Sequence, residues 1–324
     1  MTRSPRLRDA ILRDVRDVAA DVRRFEFEPL DGEARREAGD HVDVVVTVDG
    51  RPVTRSYSLI PATPGRFAIA VKHEPRGRGG SAAMMRLAAG DRITFEGPSN
   101  DFPALLDERE ALLIAGGIGV TALIGHAEAL ARRGRRFRFL HAGRSRAAMA
   151  FGDELTALLG GTYETFPSDE GRRIDLAAEI ARLPADGRVW FCGPERLREG
   201  IEAAWSAAGR PMHDLRFENF GGSEGAAEFR VAVPRHGVEI TVPAGTTLLD
   251  ALEGAGLDLM SDCRRGECGL CALDVLEVEG AIEHHDVFFS AHQKAEGTKM
   301  CPCVSRVGAG GRVVLDTRWR PDAI

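Results

Sequence analysis

The chain has 324 residues, of which 44% are hydrophobic and 28% are charged, so its composition is that of a globular protein of two or three domains. Its formal net charge of −6, without a lysine- or arginine-rich block, argues against a nucleic-acid partner. Acidic and basic residues are interleaved through Met1–Arg24, unlike in a transit peptide, and no apolar run reaches the roughly 18 residues that a membrane-spanning helix needs. We therefore expect a cytoplasmic protein whose cysteines bind metal rather than form disulfides.

The first third of the chain is predicted to form a small antiparallel barrel. Apolar residues at Ile11, Val15, Val18 and Val22 recur with the period of a helix. Beyond them, alternating or β-branched runs are separated by turns that contain glycine, which is typical of short strands. These runs are Arg24–Glu28, His41–Val48 and Arg66–Lys72.

Two stretches of this region have the chemistry of an anion site. One is Arg55-Ser56-Tyr57-Ser58-Leu59, and the other is Gly77-Arg78-Gly79-Gly80-Ser81, which leads into a predicted helix at Ala82–Leu87. A glycine-rich turn that opens a helix presents backbone N–H groups to a phosphate, and the arginines and serine add charge and a hydroxyl. Taken alone, the glycines would fit a flexible surface turn equally well, and Arg55 would fit a solvated surface charge.

From Glu110 onward the pattern changes to alternating strands and helices, which predicts a parallel sheet. The expected strands are Ala111–Ala115, Phe137–Ala142 and Val189–Cys192, and the expected helical stretches are Thr121–Arg133 and a segment around Ala147–Leu159.

The turn after the first of these strands matches a dinucleotide fingerprint, Gly117-x-Gly119-x-x-Ala122. The acidic residue that usually follows the second strand and binds the ribose hydroxyl is absent, and Gly143-Arg144-Ser145 stands in its place. By charge alone, Arg144 would favour the 2′-phosphate of NADPH. Taken alone, Cys192 would be a small buried strand residue.

The last third is separated from the rest by a linker of small residues at 221–228. After it we expect a hairpin, a helix capped by Thr246 or Thr247, a cysteine-rich loop and a closing strand, which is the β-grasp plan of a ferredoxin. The hairpin strands are Phe229–Val233 and Val238–Val242, the helix is Leu248–Ala255, and the closing strand is Arg312–Leu315.

Five of the six cysteines lie in this last third. Cys263, Cys268 and Cys271 have the spacing Cys-x4-Cys-x2-Cys, and Cys301 and Cys303 follow about thirty residues later, as in plant-type 2Fe–2S proteins. No histidine closely follows a cysteine, as a Rieske centre would need, and structural zinc would need two matched cysteine pairs. Spacing alone leaves Cys301 and Cys303 both possible as the fourth ligand.

Four motifs in this order resemble the ferredoxin–NADP reductase superfamily, and within it the phthalate dioxygenase reductase-like family, which includes vanillate O-demethylase reductases. The resemblance covers essentially the whole chain. It implies a flavin-binding β-barrel that holds FMN at residues 1–106, an NAD(H)-binding α/β domain at 107–220, a linker at 221–228 and a plant-type ferredoxin domain at 229–324. The motifs are Arg55-x-Tyr57-Ser58-Leu59, Ala115-Gly-Gly-x-Gly-x-Thr121, Cys192-Gly193-Pro194 and Cys303-Val-Ser-Arg306.

The resemblance also implies which residues contact each cofactor. Phe220 would cover the flavin where the nicotinamide docks, although core packing would explain this residue equally well. The Cys-Val-Ser-Arg motif implies Cys303 as the fourth cluster ligand, beside Cys263, Cys268 and Cys271. The flavin residues would be Arg55, Ser56, Tyr57, Ser58, Gly79, Gly80 and Ser81. The nucleotide residues would be Gly116, Gly117, Gly119, Thr121, Arg144, Ser145, Cys192, Gly193 and Pro194.

Two cofactor expectations rest on the family. Relatives with a segment like Arg144-Ser145 commonly use NADH, so NADH is expected despite the charge of Arg144. FMN rather than FAD is expected, because the loop Gly97-Pro-Ser-Asn100-x-Phe102 matches the one that the FMN proteins of this family carry.

These parts together predict an NADH-dependent reductase that passes electrons from NADH through FMN and the 2Fe–2S cluster to a terminal oxygenase of the Rieske type. NADH gives two electrons at once, whereas the cluster takes one at a time, and a flavin can accept two and pass them on singly. The cofactors therefore supply the chemistry, and no acid–base or nucleophilic residue is required. Three alternatives remain at this point: a reductase for a cytochrome P450, a non-enzymatic redox sensor or scaffold, and an enzyme that directly reduces small oxidants such as ferric chelates or oxygen.

Overall fold

The computed structural model describes residues 7–32, 36–75, 77, 79–220, 227–244, 246–264 and 266–317. The described chain divides into two compact units, one built from residues 7–75 and 79–218 and the other from residues 219–317. Within these ranges, no helix is both long and apolar enough to cross a membrane.

The first unit begins with a six-stranded antiparallel sheet in the order β4-β3-β6-β1-β2-β5. A bridge between Ile60 and Ala68 joins the chain after β4 to β5, so the two edges of the sheet meet as in a barrel. Its core includes the rings of Phe27, Phe67 and Phe95. The elements are β1 (Arg8–Ala19), β2 (Val22–Pro29), β3 (Asp40–Val48), β4 (Arg51–Ser58), β5 (Phe67–Lys72), α1 (Gly80–Met85) and β6 (Arg92–Asn100).

Strand β1 is a strand despite the helical spacing of its apolar residues. Its pairing with β2 is shifted between Leu12 and Asp14 and again between Asp17 and Ala19. A bulge adds one residue to one strand and so interrupts the two-residue alternation of the side chains. The buried apolar residues of this strand are Ala10 and Leu12, while Val15 and Val18 pack against two different cores, so the helical spacing does not mark one common face.

The rest of the first unit is a parallel sheet in the order β11-β10-β7-β8-β9, with helices in the crossovers. Strand β7 is apolar throughout because Leu113 and Ala115 pack into one core while Leu112 and Ile114 pack into another on the opposite face. The elements are β7 (Ala111–Gly116), α2 (Val120–Arg132), β8 (Phe137–Gly143), α3 (Gly152–Leu159), β9 (Tyr163–Pro167), α4 (Leu176–Arg182), β10 (Arg188–Cys192), α5 (Glu195–Ala207) and β11 (Leu215–Glu218).

The helical segment predicted around Ala147–Leu159 is wrong in its first half. The chain makes a 3-10 turn at Arg146–Ala148, and the α-helix begins only at Gly152. Phe151 before it has a φ of 62°, which is left-handed and interrupts any helix at that point. The cause is tertiary: Ala150 and Phe151 are buried in the core beneath the sheet.

The second unit contains a five-stranded sheet in the order β13-β12-β18-β14-β16 and a two-stranded sheet of β15 and β17. Thr247 caps α6 by accepting a hydrogen bond from the backbone of Asp250, as predicted, and Ser290 caps α7. The elements are β12 (Phe229–Val233), β13 (Val238–Val242), α6 (Leu248–Gly254), β14 (Leu273–Glu279), β15 (Ile282–Glu283), α7 (Ala291–Glu296), β16 (Lys299–Met300), β17 (Arg306–Val307) and β18 (Arg312–Asp316).

This architecture confirms the expected fold class: an antiparallel barrel, a parallel α/β sheet and a C-terminal sheet with a cysteine loop. The domain boundaries at 106, 220 and 228 stay predictions. Residues 221–226 of the predicted linker and Arg78 lie outside the described residues.

Candidate functional site

Strand β4 carries four of the residues assigned to the flavin. It pairs with β3 so that Tyr57 lies opposite Val42 and Arg55 lies opposite Val44. The Tyr57 ring is partly covered, and burial raises its pKa to about 12, so the phenol stays neutral. The hydroxyl of the exposed Ser56 donates to Asp43, whereas Ser58 is buried.

The structure brings Arg55 to the glycine turn that the sequence paired with it. A Cβ atom on Gly80 would lie 2.6 Å from Nε of Arg55, so the guanidinium lies directly against the first residue of α1. Gly79 before it has a φ of 78°, and a Cβ there would meet Val48 at 2.6 Å, so both features require glycine. The hydroxyl of Ser81 accepts a hydrogen bond from the backbone of Glu74, 3.0 Å away. A guanidinium beside the amides of a glycine turn is suited to a phosphate.

The two nucleotide loops also meet, and they meet through their glycines. A Cβ on Gly119 would lie 2.2 Å from the carbonyl oxygen of Cys192, and one on Gly116 would lie 2.4 Å from Cδ of Pro194. A Cβ on Gly193 would in turn lie 2.8 Å from Gly116. The glycines therefore let two backbones approach at the carboxyl ends of β7 and β10, where parallel sheets bind ligands.

Thr121 and the 3-10 turn that precedes it hold the first of these loops. The Thr121 hydroxyl donates to the carbonyl of Ile118 at 2.9 Å. Gly117 has a φ of 54° with no atom near its missing Cβ, so glycine is needed there for the backbone conformation alone. Helix α2 then starts without a side-chain cap, and the backbone N–H of its first residue, Val120, donates back to the 3-10 turn.

A residue that the sequence did not single out connects the two cofactor sites. Ser58 at the end of β4 donates to the carboxylate of Glu218 at the end of β11, 3.2 Å away, and both side chains are buried. Glu218 lies opposite Cys192 in the parallel pairing of β11 with β10. Strand β4 thus reaches the carboxyl edge of the parallel sheet. No sequence signal points to this contact, because Glu218 and Ser58 are 160 residues apart.

The segment after β8 contains Arg144 and Ser145. Arg144 is exposed, and its carbonyl accepts hydrogen bonds from the backbone of Asp169 at 3.0 Å and the hydroxyl of Ser168 at 3.2 Å. Arg146 binds both carboxylate oxygens of Glu170, at 2.7 and 3.0 Å. The carboxylate of Glu170 and the charge of Asp169 therefore offset the positive charge of Arg146.

The second unit holds the cysteine loop. Backbone amides of Glu267 and Cys268 donate to the sulfur of Cys263 at 3.4 and 3.3 Å. The sulfurs of Cys271 and Cys303 are 3.3 Å apart. Hydrogen bonds from the buried Cys301 and Cys303 lower the pKa of the Cys271 thiol, so a thiolate is favoured there.

This donor set fits a 2Fe–2S cluster. Two thiolates on one tetrahedral metal with bonds of about 2.3 Å lie roughly 3.8 Å apart, close to the separation of Cys271 and Cys303. Amide donors to a cysteine sulfur are the hydrogen bonds that tune such clusters. Among the described side chains, no three His, Cys, Asp or Glu residues converge as they would on a single metal ion.

Glycines also shape the cysteine loop. Gly266 has a φ of 77°, and a Cβ there would meet Asp286 and Val304 at 2.8 and 2.6 Å. Gly269 has a φ of 69°, and the ring of Phe288 lies 2.3 Å from its missing Cβ. Both positions combine a left-handed backbone with a close neighbour, so both require glycine.

Phe220 follows β11 at the start of the second unit, and its side chain is 41% exposed. It is therefore not a core residue of its own unit, which removes one of the two explanations that the sequence left open. Its assignment to the flavin stays a prediction.

Two family models match the chain. The model described as an oxidoreductase FAD-binding domain matches residues 9–103, and the model described as a 2Fe-2S iron-sulfur cluster binding domain matches residues 231–308. These matches coincide with the barrel and with the cysteine-containing unit. The chain is therefore an oxidoreductase that combines a flavin-binding domain with a 2Fe–2S domain.

Similar proteins cover the whole chain. It is 34% identical to the heme-dependent oxidative N-demethylase beta subunit of Ectopseudomonas mendocina, over 96% of this chain and 99% of that protein. It is 35% identical to a putative toluene-4-sulfonate monooxygenase system reductase subunit of Comamonas testosteroni, over 95% of this chain and 96% of that one. The solved structure of phthalate dioxygenase reductase matches with a TM-score of 0.76 and 28% identity, over 95% of this chain and 97% of that one. The chain belongs to the phthalate dioxygenase reductase-like family.

Proposed function

We propose that this protein is the NADH-dependent reductase component of a two-component oxygenase or demethylase, with electrons passing from NADH through FMN and the 2Fe–2S cluster to a terminal oxygenase. The observation that carries the proposal is the buried hydrogen bond between Ser58 and Glu218, because it joins the flavin strand to the edge where the nucleotide loops meet. The relatives support the same activity, since one of them is named a monooxygenase system reductase subunit.

The bound flavin would take two electrons together and release them singly, and the chain's own residues position it. Tyr57 offers a neutral ring on β4, and Arg55 with Gly80 offers charge and backbone donors to a phosphate. Because Gly119 and Gly193 have no side chains, the backbones of the two nucleotide loops can approach each other closely. Anaerobic NADH should bleach both the flavin and the cluster absorption. A protein that binds NADH without bleaching would instead be a redox sensor.

We propose FMN as the flavin and NADH as the nucleotide. The segment Gly97–Phe102 at the end of β6 supports FMN, because it matches the loop that the FMN proteins of this family carry; Asn100 in it donates to the carbonyl of Ala38 and accepts from the backbone of Phe102, each at 3.1 Å. Chromatography of the flavin released by acid should give FMN, and FAD would reverse this assignment. For the nucleotide, Asp169 and Glu170 offset the positive charge of Arg146, which follows Arg144-Ser145, and this makes the segment less favourable for a 2′-phosphate. Faster flavin reduction by NADPH than by NADH in stopped flow would reverse that choice.

We propose Cys263, Cys268, Cys271 and Cys303 as the cluster ligands. In favour of Cys303, its thiol interacts electrostatically with Cys263 and with the backbone of Gly266, so it faces the loop that carries the other ligands. Cys303→Ser should remove the iron–sulfur absorption and the electron paramagnetic resonance signal but leave flavin reduction by NADH intact. Cys301→Ser is the matched control and should keep the cluster. The opposite pattern would make Cys301 the ligand.

The acceptor is proposed to be a Rieske-type oxygenase, as for phthalate dioxygenase reductase. The demethylase relative is described as heme-dependent, which keeps a heme acceptor such as a cytochrome P450 as the second candidate. Mixing the reduced protein with each class of oxygenase distinguishes them. Transfer to a Rieske centre changes that centre's magnetic resonance signal, and transfer to a heme gives the absorption band of its carbon monoxide complex. Reduction of ferric chelates alone, with neither acceptor, would favour direct reduction.

A further inference from the structure

A buried histidine contacts the nucleotide loop. His141 lies on β8 with none of its surface exposed. Its Nε2 is 3.0 Å from the carbonyl oxygen of Gly117, and its Nδ1 is 2.7 Å from the hydroxyl of Tyr163 at the start of β9. Gly117 belongs to the 3-10 turn between β7 and α2, so this ring connects the middle of the sheet to the loop.

The hydrogen bonds fix which nitrogen carries the proton. A carbonyl oxygen only accepts, so Nε2 of His141 donates to Gly117. In the neutral ring Nδ1 then accepts, and the Tyr163 hydroxyl donates to it. Burial lowers the pKa of His141 to about 4 and raises that of Tyr163, so both groups are neutral near pH 7.

The orientation of the Gly117 carbonyl matters for an anionic ligand. This carbonyl also accepts from the backbone of Val120, and the next one, of Ile118, accepts from the buried Thr121 hydroxyl. Both loop carbonyls are thus held by groups of the protein interior. A pyrophosphate needs backbone N–H donors, and a carbonyl turned toward it would present a negative partial charge instead. With a φ of 54° and no side chain, Gly117 does not itself restrict that carbonyl.

We propose that His141, held in its Nε2–H tautomer by Tyr163, is a positioning residue for nucleotide binding: it keeps the Gly117 carbonyl inward, so that the loop presents only donors to the pyrophosphate. The inference rests on the proposed function, because it assumes a nicotinamide nucleotide at this loop. His141 is fully buried and acts only through the Gly117 carbonyl, so its substitution should change nucleotide affinity and leave the limiting rate of flavin reduction alone.

Two amide variants test whether the hydrogen bond from His141 to Gly117 matters, because the N–H groups of glutamine and asparagine extend to different distances from the backbone. His141→Gln can place its amide near the position of Nε2 and keep the bond to Gly117. His141→Asn is shorter, reaches only as far as Nδ1, and loses that bond. The probe is ADP-ribose, which carries the pyrophosphate without the nicotinamide, and the measurement is titration calorimetry on the full-length protein with both cofactors bound.

We expect His141→Gln to bind ADP-ribose within about twofold of the unsubstituted protein, and His141→Asn to bind about five- to tenfold more weakly, the effect of one lost buried hydrogen bond. Limiting rates of flavin reduction should agree among all three. If both variants bind ADP-ribose as tightly as the unsubstituted protein, or both lose affinity equally, the inference is overturned.

Tyr163→Phe serves if the asparagine variant does not fold, since it leaves the His141 ring in place and removes only the group that fixes the tautomer. A loss of about twofold or more supports the inference, and unchanged affinity overturns it. Failure of the unsubstituted protein to bind ADP-ribose would overturn the proposed function itself. Binding with no difference among the variants would overturn only the role of His141.

Discussion

Replacing Gly119 with alanine tests whether the contact between the two nucleotide loops matters for electron entry. The new Cβ would lie 2.2 Å from the carbonyl oxygen of Cys192 and 2.5 Å from its carbon. A carbon and a carbonyl oxygen in ordinary contact are about 3.3 Å apart, so the loops must separate by about 1 Å. Both sides are backbone, so no side chain can rotate away. A misplacement of about 1 Å can cost roughly a hundredfold in rate.

We therefore expect the limiting rate of flavin reduction by NADH to fall about a hundredfold in Gly119→Ala, measured by stopped flow at the flavin band. Flavin and iron content should stay unchanged, because neither cofactor depends on this loop contact. Gly161→Ala is the matched control: it lies in the same sheet domain, with no atom within 4 Å of its missing Cβ, and should reduce at the normal rate. A rate for Gly119→Ala within about threefold of the control would refute the reasoning.

Two further predictions concern stability. Gly269→Ala should lower the free energy of unfolding of the cysteine-containing unit by about 1–2 kcal/mol for the left-handed backbone alone, measured as loss of cluster absorption at a lower temperature. Adding Phe288→Ala to that variant should restore only the part of the loss that is due to the contact with the ring. Full restoration would mean that the backbone at residue 269 is not strained. Burial lowers the pKa of both His126 and His141 from 6.5 to about 4. The stability that each neutral ring contributes, roughly 3 kcal/mol, is therefore complete above pH 6.5 and is lost as the pH falls toward 4. The free energy of unfolding measured in urea should fall between pH 6.5 and pH 5, a range above the pH at which carboxyls such as Glu26 titrate. A free energy that stays constant over this range would contradict the burial argument.

The cofactor motifs were readable from the sequence because each is short and local. A glycine such as Gly119 or Gly266 indicates that another part of the chain lies close to its backbone, and the structure shows such a neighbour at both positions. The strands could likewise be predicted from runs of alternating apolar and polar residues, because such runs are also local. Strand β1 was harder to recognise, because its apolar residues have a helical spacing and its pairing with β2 is shifted twice.

The parts that the sequence did not reveal depend on contacts between distant segments. Glu218 meets Ser58 across 160 residues, and His141 meets Gly117 across 24. Neither residue type signals such a role at its own position. The false helical start before Gly152 has the same origin, since burial of the preceding residues overrides local propensity.

Anaerobic titration with NADH, followed by absorbance, tests the proposed electron path most directly. The purified protein should show flavin bands with a broad iron–sulfur shoulder, and NADH should bleach both. The Cys303→Ser variant should bleach at the flavin alone. A colourless protein that contains zinc, or a coloured one that NADH leaves unchanged, would contradict the path from nucleotide through flavin to iron.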